Sequence, residues 1–119
     1  MSLQTFTTYR ALNFRAGEIL MAEGETGTHA MVIESGEVEI TVRREGKDRH
    51  LANAGPGEII GEMALIDNEP RSATVKAITD CVCRVVPGDL FRAELSQSTV
   101  LIHSVTEILT RHLRRMDHL

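Results

Sequence analysis

The sequence predicts a mainly β fold, a jelly-roll-like β roll (a double-stranded β-helix) followed by two helical segments. Short runs of β-forming residues are separated by turn signals about every 8–12 residues, a spacing typical of all-β sandwiches and barrels. Glycines such as Gly36, Gly46 and Gly57 mark the corners between these runs, as a small jelly roll requires. Between residues 101 and 116, apolar side chains recur instead at helical spacing.

The individual elements follow from the same patterns. Strand-type segments are predicted at residues 11–15, 19–21, 29–34, 37–43, 49–54, 73–78 and 82–86. The clearest is 37–43, where Val38, Ile40 and Val42 alternate with polar residues and therefore share one face. A hairpin loop is predicted at 45–48. Asp89 is predicted to cap a short helix that runs through Leu95.

The length of the chain indicates one domain with one hydrophobic core. Its 119 residues divide into a β roll at 11–86 and C-terminal helices at 87–119. Residues 1–10 are polar and rich in threonine. They are interpreted as a poorly ordered lead-in, either an added leader or the remnant of an upstream helix.

Charge and cysteine usage exclude several classes of protein. The net charge of −4 argues against a nucleic-acid binder with a broad basic face. No uncharged apolar run reaches the roughly 18 residues that a membrane span needs. Cys81 and Cys83 point to the same face of a predicted strand and are interpreted as small buried hydrophobes. A reducing, cytoplasmic setting is therefore expected.

The segment 57–74 combines the features of an anion site. Gly61 lets the backbone come close to a ligand. The next four residues, 62–65, are good helix formers, and a helix N-terminus offers free N–H groups to an anion. Arg71 can donate to a phosphate through two N–H groups at once. Each feature taken alone fits a glycine turn or a surface arginine, but the combination predicts a phosphate site.

At these residues the sequence resembles the cyclic nucleotide-binding domain family. This is the sensor module of catabolite-activator-type regulators, cyclic-nucleotide-dependent kinases and cyclic-nucleotide-gated channels. The resemblance implies a regulatory domain that is not an enzyme and whose ligand is cAMP or cGMP, with no metal or other cofactor. The matching motifs are Gly17-Glu18, Glu23-Gly24-Glu25, Gly36-Glu37-Val38, Gly55-Pro56-Gly57-Glu58, Gly61-Glu62-Met63-Ala64-Leu65 and Pro70-Arg71-Ser72-Ala73-Thr74.

The resemblance assigns roles within the last two motifs, called the cassette below (residues 61–65 and 70–74). It implies that Arg71 pairs with the cyclic phosphate and that Glu62 accepts a hydrogen bond from the ribose 2′-hydroxyl. Ser72 stands where serine or threonine can contact the phosphate and the 2-amino group of guanine, although serine also occurs there in domains that respond to cAMP. We therefore favour cAMP and leave cGMP open. The remaining residues of the expected phosphate cradle are Gly61, Met63, Ala64 and Ala73.

The family transmits binding by moving its C-terminal helices, which implies an effector domain or protein outside this chain. Leu65 and Ile66 are candidates to press on a hinge at Leu90 and Phe91, although ordinary core packing explains them as well. Candidates for a lid over the base lie on the last helix, where a solvated helix end is the alternative: Arg111, His112 and Arg115. The apolar stripe of that helix fits its own β roll or a twin helix in a homodimer.

Two rival functions follow from the same fold. One is a structural or interaction module that has lost its ligand, which the intact cassette disfavours. The other is a metalloenzyme of the cupin-like jelly-roll type, which needs two or three histidines and a carboxylate converging inside the barrel. His29 and His50 are isolated in the sequence, with no His-x-His pair.

Overall fold

The computed structural model describes residues 9–96 of the chain. They form two four-stranded antiparallel sheets, with strand orders β1-β8-β3-β6 and β2-β7-β4-β5, and two short helices. This is the predicted β roll followed by helix, while the second helical segment, at 101–116, lies outside the described residues. The elements are β1 (Ala11–Phe14), β2 (Ile19–Met21), β3 (His29–Ser35), β4 (Val38–Arg44), β5 (Lys47–Ala54), β6 (Ile59–Ile60), α1 (Met63–Asp67), β7 (Thr74–Ala77), β8 (Cys81–Pro87) and α2 (Gly88–Ser96).

The main core lies between the two sheets and is built from alternating positions of their strands. On β4, Val38 and Val42 are buried, and Ile40 is partly buried against the same core. This confirms the predicted apolar face, because alternate residues of a strand point the same way. The buried members of the cluster are Met21, Met31, Ile33, Val38, Ala54, Ile60, Val75, Ala77, Cys81 and Cys83.

The two cysteines lie in this core as free thiols. Burial raises the pKa of the Cys83 thiol to about 11, and the neighbouring Cys81 adds to the shift. Since the thiolate is the reactive form of cysteine, Cys83 is an inert packing residue at neutral pH. The interpretation of both cysteines as small buried hydrophobes is confirmed.

The β4–β5 hairpin is tighter than the sequence suggested. Arg44 pairs with Lys47, so only Glu45 and Gly46 form the loop, and both have left-handed φ angles, 54° and 74°. This is the pattern of a type I′ turn, whose twist matches that of the flanking strands. The pairing of β4 with β5 shifts register between Ile40 and Thr41 of β4, which pair with Ala52 and His50. Leu51 of β5 is therefore skipped by the ladder, and it is 48% exposed.

One strand was not predicted, and most of the predicted elements begin or end one or two residues away from the predicted bounds. The two-residue strand β6 was not predicted, because two isoleucines have no period to detect. β8 extends through Pro87, which pairs with His29, since the last residue of a strand need not donate to the ladder. Helix α2 begins at Gly88, so Asp89 lies in its first turn and is not the capping residue. None of the helices between residues 9 and 96 is long and apolar enough to cross a bilayer.

Gly36 at the β3–β4 turn provides a test of core packing. Its φ is +92°, and an added Cβ would collide with the carbonyl of Asp80 and the sulfur of Cys81. Gly17 has the same φ but no atom within 4 Å of such a Cβ. Gly17→Ala should therefore lower the free energy of unfolding by about 1–2 kcal/mol, the cost of the left-handed backbone. Gly36→Ala should lower it by about 1–3 kcal/mol more, because the core there is overpacked.

Urea unfolding of both variants measures this difference. Equal losses would contradict the packing argument and leave only the backbone conformation as the cause.

Candidate functional site

Seven of the ten cassette residues line one cleft in the β roll. The empty space of the cleft, including the part open to solvent, is about 510 Å³. All seven residues predicted for the phosphate and ribose contacts line it: Gly61, Glu62, Met63, Ala64, Arg71, Ser72 and Ala73. The rest of its wall is apolar and comes from both sheets: Met21, Ile40, Ile59, Ile60 and Val75. A largely apolar cleft with a few converging polar groups is typical of a small-molecule site.

The corner between β6 and α1 brings the backbone into this cleft. Gly61 has a φ of +79°, and an added Cβ would collide with the side chains of Met21 and Arg71. Glu62 is the N-cap residue of α1, but its side chain makes no capping hydrogen bond. The N–H groups of the first turn, at Met63 and Ala64, have no acceptor within the helix. The sequence therefore folds here into a turn that presents backbone donors beside a carboxylate.

Arg71 is the most constrained side chain of the cleft. It is only 6% exposed, and its guanidinium donates from Nη1 to the carbonyl of Gly61 (3.1 Å) and from Nη2 to that of His29 (2.8 Å). Its main-chain N–H donates to the carbonyl of Glu25 (2.8 Å), and its carbonyl accepts from the N–H of Gly24 (2.9 Å). Three structural elements therefore hold this one residue: β3, the β2–β3 loop and the β6–α1 corner.

The charge of Arg71 is solvated but not neutralised by these contacts. Both acceptors are neutral carbonyls, and no carboxylate of residues 9–96 forms an ion pair with the guanidinium. Burial lowers the pKa of Arg71, and the Glu25 carboxylate opposes that shift. Because arginine stays protonated in proteins, the cleft contains a buried positive charge. Two of the five N–H groups are engaged, which leaves donors for an anion.

Glu62 and Ser72 are the other polar side chains of the cleft. Burial raises the pKa of the Glu62 carboxyl, and a hydrogen bond from its own backbone N–H partly offsets the shift. The Ser72 hydroxyl donates to the sulfur of Met63 at 3.8 Å, a weak acceptor that a better partner can displace. Glu62 and Arg71 do not form an ion pair with each other.

His29 contributes its main chain to the site. Its side chain is half-buried, and its pKa is lowered by burial, by Arg71 and by Arg10, in that order of importance.

Among residues 9–96, no group of three or more histidine, cysteine, aspartate and glutamate side chains could hold a metal ion.

The predicted hinge residues Leu65, Phe91 and Leu90 lie in three different environments. Leu65 is buried and lies beside Gly88, at the start of α2. Phe91 packs on a second cluster with Val32 and Val86, while Leu90 is 43% exposed. Their role as a hinge stays a prediction, and so does that of Ile66. The lid candidates Arg111, His112 and Arg115 lie outside the described residues.

Sequence reasoning missed one contact of the cassette helix. Arg92 on α2 donates from Nε to the carbonyl of Leu65 at 3.1 Å and from Nη2 to Oδ1 of Asn68 at 3.3 Å. These partners are 27 and 24 residues away along the chain, and one of them is a main-chain group. No local sequence pattern could have indicated the pairing.

Comparison with known proteins places this site in a family. The profile of the cyclic nucleotide-binding domain matches residues 11–98. The chain belongs to the cyclic nucleotide-binding domain family. The match spans the whole β roll together with α2, and the resemblance inferred from the cassette is confirmed.

This cyclic nucleotide-binding domain is similar to parts of longer proteins. It is 29% identical over 108 residues to the CRP-like cAMP-activated global transcriptional regulator of Mycobacterium tuberculosis, covering 90% of this chain and 48% of that protein. It is 30% identical over 102 residues to the cyclic AMP receptor protein of Thermus thermophilus, covering 85% of this chain and 47% of that protein. The chain thus spans about half the length of these curated relatives.

The fold of the domain is also similar to part of a solved structure. The cAMP-bound form of the EAL enzyme Bd1971 superposes with a TM-score of 0.84 at 32% identity, over 91% of this chain and 29% of that one. Its cGMP-bound form gives the same TM-score of 0.84.

Replacing Glu62 by glutamine should stabilise the ligand-free domain at neutral pH. Burial raises the pKa of Glu62 in the folded state, so over the affected pH range the folded state binds more protons than the unfolded one. Stability therefore falls as pH rises from the ordinary glutamate pKa to the raised one, and the loss persists above it. Glu62→Gln removes this loss, so its gain in urea midpoint over the wild type should be larger at about pH 7 than at about pH 4, below the ordinary pKa.

The matched control is Glu69→Gln, which removes an exposed glutamate of the same segment. A pH-dependent gain of equal size in both variants would contradict burial of Glu62 as the cause.

Proposed function

We propose that this domain is a regulatory sensor that binds a cyclic purine nucleotide, with cAMP favoured over cGMP. In the proposal, its C-terminal helices pass the binding event to an effector domain or protein beyond this chain. The observation that carries it is the buried Arg71 guanidinium, which has free donors and no carboxylate partner among the described residues. A buried cation in such surroundings favours an anionic ligand.

The chemistry of a cyclic nucleotide matches the polar groups of the cleft one by one. A cyclic phosphate carries one negative charge, which the remaining donors of Arg71 would neutralise. The first-turn N–H groups of α1, at Met63 and Ala64, would donate to the same phosphate. Glu62 would accept a hydrogen bond from the ribose 2′-hydroxyl, giving the desolvated carboxylate a donor. Gly61 and Ala73 would complete the cradle with their backbone.

The apolar wall of the cleft supports a purine as the base. Ile40, Ile59 and Val75 line the cleft and would pack against a flat ring. Ser72 is weakly engaged and could turn to the phosphate or to the 2-amino group of guanine, so cGMP stays within the proposal. Bd1971, which has been solved with cAMP and with cGMP, supports the class of ligand. The names of the two curated relatives, which refer to cAMP, favour adenine.

The proposal is for a sensor and not for an enzyme. The two curated relatives are named as a transcriptional regulator and a receptor. Bd1971 is named as an enzyme, but this chain corresponds to only 29% of it. The proposal further gives the last helix two roles, a lid over the base through Arg111, His112 or Arg115 and a contact between two copies of the chain.

Arg71→Ala should weaken cAMP binding by about 2–5 kcal/mol, the usual effect of truncating one partner of a buried charge pair. Isothermal titration calorimetry with cAMP and cGMP measures the change. Arg71→Lys is the matched variant, because it keeps the charge but loses the planar fork that donates to several acceptors. Since Arg71 also ties three elements together, urea unfolding must first show that each variant is folded. Unchanged affinity in a folded Arg71→Ala would remove Arg71 from the site.

The ribose contact can be tested from both sides. For the wild type, 2′-deoxy-cAMP should bind more weakly than cAMP by about 1.5–3 kcal/mol, the value of a hydrogen bond to a charged group. In Glu62→Gln the difference between the two ligands should shrink, because the carboxylate acceptor is gone. Thermal-shift titrations of both proteins with both ligands give the four affinities. The same penalty for the deoxy ligand in both proteins would show that another residue accepts the 2′-hydroxyl.

A further inference from the structure

Helices α1 and α2 meet at a closely packed junction. The N–H of Gly88, the first residue of α2, donates to the carbonyl of Thr28 at 3.0 Å. A Cβ added to Gly88 would lie 2.7 Å from the carbonyl oxygen of Thr28 and 3.1 Å from Cδ2 of Leu65. The start of α2 is thus seated between the cassette helix and the β2–β3 loop.

Arg92 joins the two helices by hydrogen bonds one turn further along α2. Its Nε donates to the carbonyl of Leu65, and its Nη2 donates to the side chain of Asn68. The Leu65 carbonyl is among the last four of α1, which have no partner within the helix. Asn68 is the C-cap of α1 in a left-handed conformation, with φ 57° and ψ 22°. A residue of α2 therefore caps the C-terminal end of α1, where a cation is also favoured by the helix dipole.

We propose that Arg92 is the positioning residue through which movement of the cassette helix reaches α2. The inference rests on the proposed function, because it needs a ligand at the opposite end of α1. Glu62 and Met63 face the cleft at the N-terminal end, and Arg92 holds Leu65 and Asn68 at the C-terminal end. A helix of five residues is only about 7 Å long and moves as a rigid unit. A displacement of the N-terminal end of α1 therefore also displaces the C-terminal end, to which Arg92 is hydrogen-bonded.

The apolar contacts of this region are less suited to the task. Leu65 packs against Gly88, but such packing is non-directional and does not by itself fix the orientation of α1. Phe91 anchors α2 to Val32 and Val86 of the sheet and not to α1. A planar guanidinium that donates from two nitrogen atoms fixes both distance and orientation, so it couples the end of α1 to α2 in both respects.

The first arm of the test uses the full 119-residue chain without ligand. Asn68→Gly removes the Oδ1 acceptor and keeps a residue that adopts left-handed φ easily. We expect it to shift the urea midpoint by different amounts in the wild type and in Arg92→Leu, because its partner is absent from the second background. Equal shifts in the two backgrounds would overturn the contact, whatever the domain binds.

The second arm measures amide hydrogen exchange with and without saturating cAMP. In the wild type, cAMP should change exchange at residues 61–67 and at residues 88–93. In Arg92→Leu, the response at 61–67 should remain and the response at 88–93 should be lost, with cAMP affinity changed by less than about fivefold, the low end of typical coupling between sites. A structural role alone would lower stability without separating these two responses.

The control is Arg43→Leu, which removes an exposed arginine paired with Asp48 at the β4–β5 hairpin. It should keep both responses. A response at 88–93 that survives in Arg92→Leu would overturn this inference while leaving the proposed function intact. A wild type with no response at 61–67 would overturn both.

Discussion

The buried guanidinium of Arg71 is the constraint on which the site depends. Carbonyls from β3 and from the β6–α1 corner solvate it, and the β2–β3 loop fixes its main chain. A carboxylate partner would have neutralised the charge and left a structural ion pair. Carbonyl dipoles hold the group in place without cancelling its charge, so the cleft stays receptive to an anion.

Small residues make this arrangement sterically feasible. A Cβ at Gly27 would lie 2.7 Å from Cβ of Ala64 and 3.3 Å from Cζ of Arg71. The β2–β3 loop can therefore pack directly against the cassette helix and the guanidinium. The same loop receives the start of α2 through Thr28. Arg71, the cassette helix and α2 are thus packed around a single loop.

Local patterns in the sequence predicted much of this fold and cleft. Val38, Ile40 and Val42 alternate at the strand period, and Gly61 with Arg71 forms a motif whose parts are only ten residues apart. What the sequence did not predict depends on distant or main-chain partners. The carbonyls that hold Arg71 carry no side-chain signature, and Arg92 reaches Leu65 across 27 positions. A two-residue strand such as β6 has too few residues to show a period.

In the proposed function, the absence of an ion pair between Glu62 and Arg71 would let the cleft discriminate between ligands. Burial acts on each group separately, raising the pKa of the carboxyl and lowering that of the guanidinium. Both shifts disfavour the charged forms in the ligand-free domain. A ligand with an anionic phosphate and a hydroxyl donor would relieve both, whereas one lacking either group would leave a buried charge unsatisfied. In the proposed function, relief of this electrostatic cost would add to the affinity for a ligand that carries both groups, and it would drive a conformational change only if the two conformations differ in that cost.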